Sequence, residues 1–190
     1  MSALSQSQAH PMSKLSTGKV ALFIILISES VFFTTLLVAY AALRDQNSWL
    51  IDHSLARLTI PLINTAILLL SVIPAWYAVV NIRNENQSVL LISLIATFML
   101  GLVFVAGQVY EFNHAGFHIN DQAFGGVFFT LMGFHALHVI AGEVFLVINI
   151  IRTRLGDFSS SAYSPVEIST WFWYYVTVVW LVLFIALYII

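Results

Sequence analysis

A chain of 190 residues with 60% apolar and only 8% charged side chains has too few charges to cover the surface of a water-soluble domain. Its 7 basic and 9 acidic residues leave no cationic footprint for nucleic acid. With no cysteine, disulfides, thiolate metal sites and iron–sulfur clusters are excluded.

The first 18 residues are polar and rich in Ser and Gln, with neither the short apolar core nor the small-residue cleavage site of a signal peptide, so a flexible tail and a retained first helix are expected. Residues 19–43, 59–82, 89–112, 124–151 and 167–190 follow as five apolar stretches. Each is long enough, at about 1.5 Å per residue, to cross a hydrocarbon core of about 30 Å. The expectation is an all-α integral membrane protein, with five transmembrane helices in one bundle over residues 19–190. Neither a repeat nor a low-complexity tract interrupts it.

In the first stretch, Glu29 lies ten residues past Lys19, about 15 Å along the helix and so near the bilayer midplane. In the second, Pro74 predicts a kink, with Ser71 placed to satisfy the carbonyl it frees. The third ends at a polar segment carrying Glu111, His114, His118 and Asp121. The fourth holds His135 and His138, three apart and therefore on nearly one helix face, and then Glu143 at a depth comparable to that of Glu29. Gly101, Gly107, Gly125, Gly126, Gly133 and Gly142 are read as close-approach positions between helices. The fifth opens with Glu167, an acid suited to a helix N-terminus, and with the cluster Trp171 to Tyr175, which is read as an interfacial anchor.

The two midplane acids have two readings each: a proton, ion or lipid site, or a neutral carboxyl hydrogen-bonded between helices. The histidines read as packed and hydrogen-bonded rather than as ligands. Two side chains three apart on one helix cannot flank a haem, and His10, His53, His114 and His118 fall in the tail and loops. No catalytic, cofactor-binding or metal residue is therefore assigned. Lys and Arg near the helix ends divide five (Lys14, Lys19, Arg83, Arg152, Arg154) to two (Arg44, Arg57), which predicts a cytoplasmic N-terminus and an outer C-terminus at Ile190.

Residues 133–142, GFHALHVIAG, resemble subunit III of haem–copper terminal oxidases. Further likenesses run in order along the chain: Ser28, Glu29, Val31, Phe32 and Phe33 in the first helix; Leu62, Asn64, Thr65 and Leu68 in the second; Gly107, Gln108, Tyr110 and Glu111 closing the third; Ala123, Phe124, Gly125, Phe128 and Phe129 opening the fourth; and Glu167, Trp171, Trp173, Val176, Val178, Val179, Trp180 and Leu181 in the fifth. The chain departs from the family at Tyr174, Thr177 and Glu143, where a histidine, an aspartate and an uncharged residue are usual. Many members have seven helices, and this chain resembles the later five, as in a five-helix bacterial form.

The resemblance implies an accessory subunit of a proton-pumping oxidase (cytochrome c or quinol oxidase) in a bacterial plasma (inner) membrane. It would have no active site or cofactor of its own; haem and copper would reside in the catalytic subunit I, its partner alongside other respiratory subunits and bound phospholipid. Stabilising the catalytic subunit, supporting proton uptake and prolonging turnover lifetime would be its roles. Glu29 would be a lipid-cleft or proton-linked residue, Glu111, His114, His135 and His138 a structural polar cluster bracing helices three and four, and Trp173 and Trp180 part of a subunit or lipid interface. An accessory subunit of a nitric oxide reductase of the same family is an alternative. So is a small transporter or channel using Glu29 and Glu143, which would act without partners.

Overall fold

The computed structural model describes residues 17–44, 55–84, 86–114, 118–120, 122–158 and 163–189. The tail through residue 16, with His10 and Lys14, lies outside them, as do His53, Asp121 and Ile190. The fold is all-α: α1 (Thr17–Arg44), α2 (Leu55–Arg83), α3 (Gln87–Asn113), α4 (Gln122–Leu155), α5 (Ser164–Phe184) and a closing π-helical turn (Ile185–Ile189). Five helices among the described residues are long and apolar enough to cross a membrane. In lipid no water answers backbone N–H and C=O groups, so apolar runs of this length bond their own backbones as continuous helices.

Local chemistry sets the helix ends. The Asn86 side chain accepts the Val89 N–H at 3.2 Å and so caps α3. α4 continues past the expected residue 151 through Arg152 and Arg154. It stops at Gly156, whose φ of 77° is open to glycine at no steric cost. There the Gly156 N–H bonds Thr153 O and the Asp157 N–H bonds Arg152 O, both at 3.1 Å, the paired bonds of a Schellman ending. α5 starts with Pro165 in its first turn, where no intrahelical bond is lost.

α2, α3, α4 and α5 pack in a closed ring, each touching the next, and α1 lies against the α4 and α5 side of it. Burial follows this order: 44% of the most apolar window of α5 is inside the protein, against 11% for α1. The core of the ring is formed around Trp173, Trp180, Phe104, Leu68, Leu94 and Leu146, each at most 1% exposed. Ile24, Ile27, Val31, Ile73, Ile92 and Leu137 point outward from several helices, as expected where lipid is the solvent.

Pro74 lies inside α2, but Ser71 does not answer the carbonyl four residues before it. Its hydroxyl donates to Leu68 O at 2.6 Å and accepts from the Trp173 indole, a buried N–H that needs a partner.

Candidate functional site

Glu29 and His138 face each other across α1 and α4, with Glu29 Oε2 3.2 Å from His138 Nε2. The other imidazole nitrogen, Nδ1, lies 2.7 Å from Phe134 O one turn back, and this fixes the ring. Phe33 of α1 meets the imidazole edge-on at 5.2 Å and Phe172 of α5 stacks on it at 6.3 Å. The side chain of Glu29 is 34% exposed and that of His138 is 16%, so the carboxyl sits at the lipid-facing rim. Ser30 beside it accepts from the Tyr175 hydroxyl of α5 at 3.3 Å. An open groove runs along the same helix, lined by Ile27, Ser30, Val31, Thr34, Thr35 and Val38. The hydroxyls of Ser30, Thr34 and Thr35 donate to backbone carbonyls one turn back on α1, leaving the groove lining largely apolar.

Glu111, His114, His135 and His138 do not form one cluster. Glu111 accepts from Gln108 at 2.7 Å, Tyr188 at 3.1 Å and Asn64 at 3.4 Å, tying α2, α3 and the π-helical turn together at one end of the bundle. Gly107 makes room for this: a Cβ there would meet the Asn64 amide. His114 stays on its own helix, stacked on Tyr110 at 4.1 Å with Nδ1 2.8 Å from Tyr110 O. His135 is fully buried, stacked on Trp180 at 5.2 Å and edge-on to Phe104 at 6.0 Å, with no hydrogen-bond partner at either ring nitrogen among the described residues. His135 thus packs its ring against α3 and α5. His138 instead joins α4 to α1 and α5. At three residues' spacing the two rings are about 60° apart around the helix, enough to turn one into the ring interior and the other to its rim.

Trp173 and Trp180 are not on a subunit or lipid interface. Both are 0% exposed. Each indole N–H, at 2.9 Å, reaches a hydroxyl of α2: Trp173 donates to Ser71 and Trp180 to Thr65. A buried indole needs such an acceptor, and the hydroxyls of α2 supply it inside the bundle. Trp171, by contrast, is only partly buried, with Lys19 Nζ 5.1 Å from its ring.

One feature is illegible as a motif. Glu167 of α5 sits 2.5 Å from Lys19 of α1 and hydrogen-bonds Arg83 of α2, so one carboxylate ties three helices at the end of the bundle opposite Glu111. Only its dipole role is apparent from the sequence. The signal that could have found it is topological, because alternating helices bring the start of α1, the end of α2 and the start of α5 to one side. Nearby, Asn149 of α4 donates to Ser169 of α5 at 2.6 Å. Of the departures from the resemblance, Thr177 is buried and donates to Trp173 O at 3.0 Å within α5, while Tyr174 is partly buried.

Glu143 is 6% exposed, with no hydrogen-bond partner for either oxygen among the described residues. Its carboxyl fills the notch left by the missing side chain of Gly101 on α3, beside the Trp173 ring. Among the described residues, no three His, Cys, Asp or Glu side chains gather in a metal-binding group.

Comparison with known proteins places this arrangement. The family pattern described as Cytochrome c oxidase subunit III matches residues 5–190. The chain is 43% identical over 129 residues to cytochrome c oxidase subunit 3 of Locusta migratoria, covering 68% of this chain and 49% of that one. Against the same-named protein of Ornithorhynchus anatinus it is 40% identical over 131 residues, covering 69% and 50%. Against that of Damaliscus lunatus it is 33% identical over 190 aligned positions, covering 95% and 73%. The chain thus spans about half the length of the first two relatives. With five membrane-crossing helices and a match along nearly all of its length, the chain belongs to the cytochrome c oxidase subunit III family.

Proposed function

We propose that the chain is an accessory subunit III of a proton-pumping haem–copper terminal oxidase in aerobic respiration. In this reading it is embedded in a bacterial inner membrane with its N-terminus cytoplasmic and its C-terminus outside. The observation that carries the reading is the family match over residues 5–190. In this reading haem and copper reside in the partner, catalytic subunit I. The geometry supports the accessory role in two ways. The ring of α2 to α5 is closed on its own core, which suits a stabilising neighbour more than a conduit. The rim of α1 pairs an acid with an apolar groove, the two chemistries that a phospholipid headgroup region and acyl chain require.

Glu29 is then the lipid-linked or proton-linked residue. Held by a fixed imidazole at the lipid-facing rim, it can pass a proton to and from His138 or hold a headgroup while an acyl chain follows α1. Lipid held there supports proton uptake by the catalytic subunit and its lifetime during turnover.

The test is to tag the C-terminus, extract the chain in mild detergent from its native membrane, and record the haem spectrum and subunit composition of what copurifies. Haem with an oxidase catalytic subunit supports the proposal. A nitric oxide reductase catalytic subunit in its place would move the chain to that enzyme. A chain that emerges alone and haem-free, while other respiratory complexes stay intact, would overturn the accessory role.

A further inference from the structure

Glu143 lies where α3, α4 and α5 meet, and its surroundings offer a charge nothing. α3 presents Gly101, and α5 presents the ring of Trp173, whose only N–H is committed to Ser71. Gly142, the residue before Glu143, is also pressed against that ring, where a Cβ would come within 2.8 Å of it, so the indole is wedged against this stretch of α4. No Lys, Arg or His pairs with Glu143 among the described residues: Lys19 and Arg83 are taken by Glu167, Arg152 by Asp157, and His138 by Glu29. A carboxylate so enclosed and unpaired is unfavourable in a membrane interior, whereas a carboxylic acid is tolerated if its O–H and C=O find partners. The acid then has one donor and remaining acceptor capacity to satisfy, and among the described residues no side chain or carbonyl hydrogen-bonds either oxygen. Thr97, one turn before Gly101 on the same buried face of α3, donates its hydroxyl to Ser93 O at 2.9 Å and keeps acceptor capacity.

We propose that Glu143 is an internal proton- and water-binding site: its carboxyl keeps its proton and hydrogen-bonds an ordered water between α3 and α4, with Thr97 as the second polar contact of that water. The site is distinct from the Glu29 and His138 pair. It does not depend on the oxidase reading, because it rests on the interior of this chain alone. Buried waters of this kind are a regular part of folded interiors, about one per 27 residues, and each answers two to four polar groups.

Infrared spectra of the assembly purified from its membrane, in water and in heavy water, test this. The wild type is expected to show a protonated-carboxyl band that shifts in heavy water, as a water-accessible acid must. Glu143→Gln removes that band and Glu29→Gln leaves it. Thr97→Val keeps the band but shifts its frequency, since the hydrogen bonding of the acid changes. Should Glu143→Gln fail to assemble, Glu143→Asp, one methylene shorter, is expected to move the band without deleting it. A band untouched by either Glu143 variant overturns the proposal. So does a wild type showing only the ionised carboxylate signature at this position, as a bound sodium ion would produce, or a band insensitive to heavy water after prolonged exchange.

Discussion

The Glu29 carboxyl lies 3.2 Å from His138 Nε2, and in this contact between α1 and α4 one of the two acids expected at the midplane meets a base of the described residues. The other midplane acid, Glu143, is enclosed without one. Two residues that look equivalent along the sequence therefore have opposite environments.

Glu29→Gln keeps a side chain that can still bond His138, so assembly is expected to survive at a stability cost of about 1 kcal/mol. Retained phospholipid, measured by extraction and mass spectrometry, and lifetime during turnover are expected to fall. Unchanged lipid content together with unchanged lifetime would sink the assignment of Glu29.

Removing Glu167 strands two cations at once. Glu167→Gln is expected to destabilise the chain by about 2 kcal/mol, below the range for a fully buried pair because Arg83 remains half exposed. Thermal unfolding in detergent measures it. Lys19→Met alone should cost less, because the Arg83 contact remains.

Trp180 supplies a test of interior against interface. Thr65→Val leaves the buried indole N–H without its acceptor and should cost about 1–3 kcal/mol, and Trp180→Ala about 3–5 kcal/mol. Both losses are expected in the chain purified without partners. If unfolding of the partner-free chain is unaffected while only assembly suffers, the indole belongs to an interface after all.

Gly101 and Glu143 are coupled by shape. Gly101→Ala puts a Cβ into the Glu143 carboxyl and the Trp173 ring and is expected to cost about 1–3 kcal/mol through overpacking. Removing the acid in the same protein, Gly101→Ala with Glu143→Ala, should return part of that loss. A double-mutant cycle on unfolding free energies reads the coupling, and strict additivity would contradict the contact.

Patterns that depend only on neighbours along the chain were legible without the fold. The five helices, the acid in the first turn of α5 and the order of the family-like elements are of this kind, since hydropathy over about 20 residues decides whether a segment crosses lipid. Helix ends differed by a few residues, and at α4 a glycine with positive φ rather than the end of the apolar run sets the stop. The site residues were less legible. Glu111, His114, His135 and His138 share a composition but not a place, because a rotation of about 60° between residues three apart sends neighbouring rings into different surroundings. The aromatics of α5 look like an interfacial belt by composition, yet Trp173 and Trp180 are its core.

The sequence by itself determined that the chain lives in lipid, how many times it crosses and which elements it shares with its family, because these follow from backbone hydrogen bonding in a medium without water and from local residue order. Only the tertiary structure decided which polar groups meet. Glu167 with Lys19 and Arg83, Glu29 with His138, and Trp180 with Thr65 are separated by 84 to 148 residues, and their pairing depends on the rotation and offset of helices against one another. Those are set by side-chain packing summed over the whole bundle, a quantity that no single stretch of sequence contains.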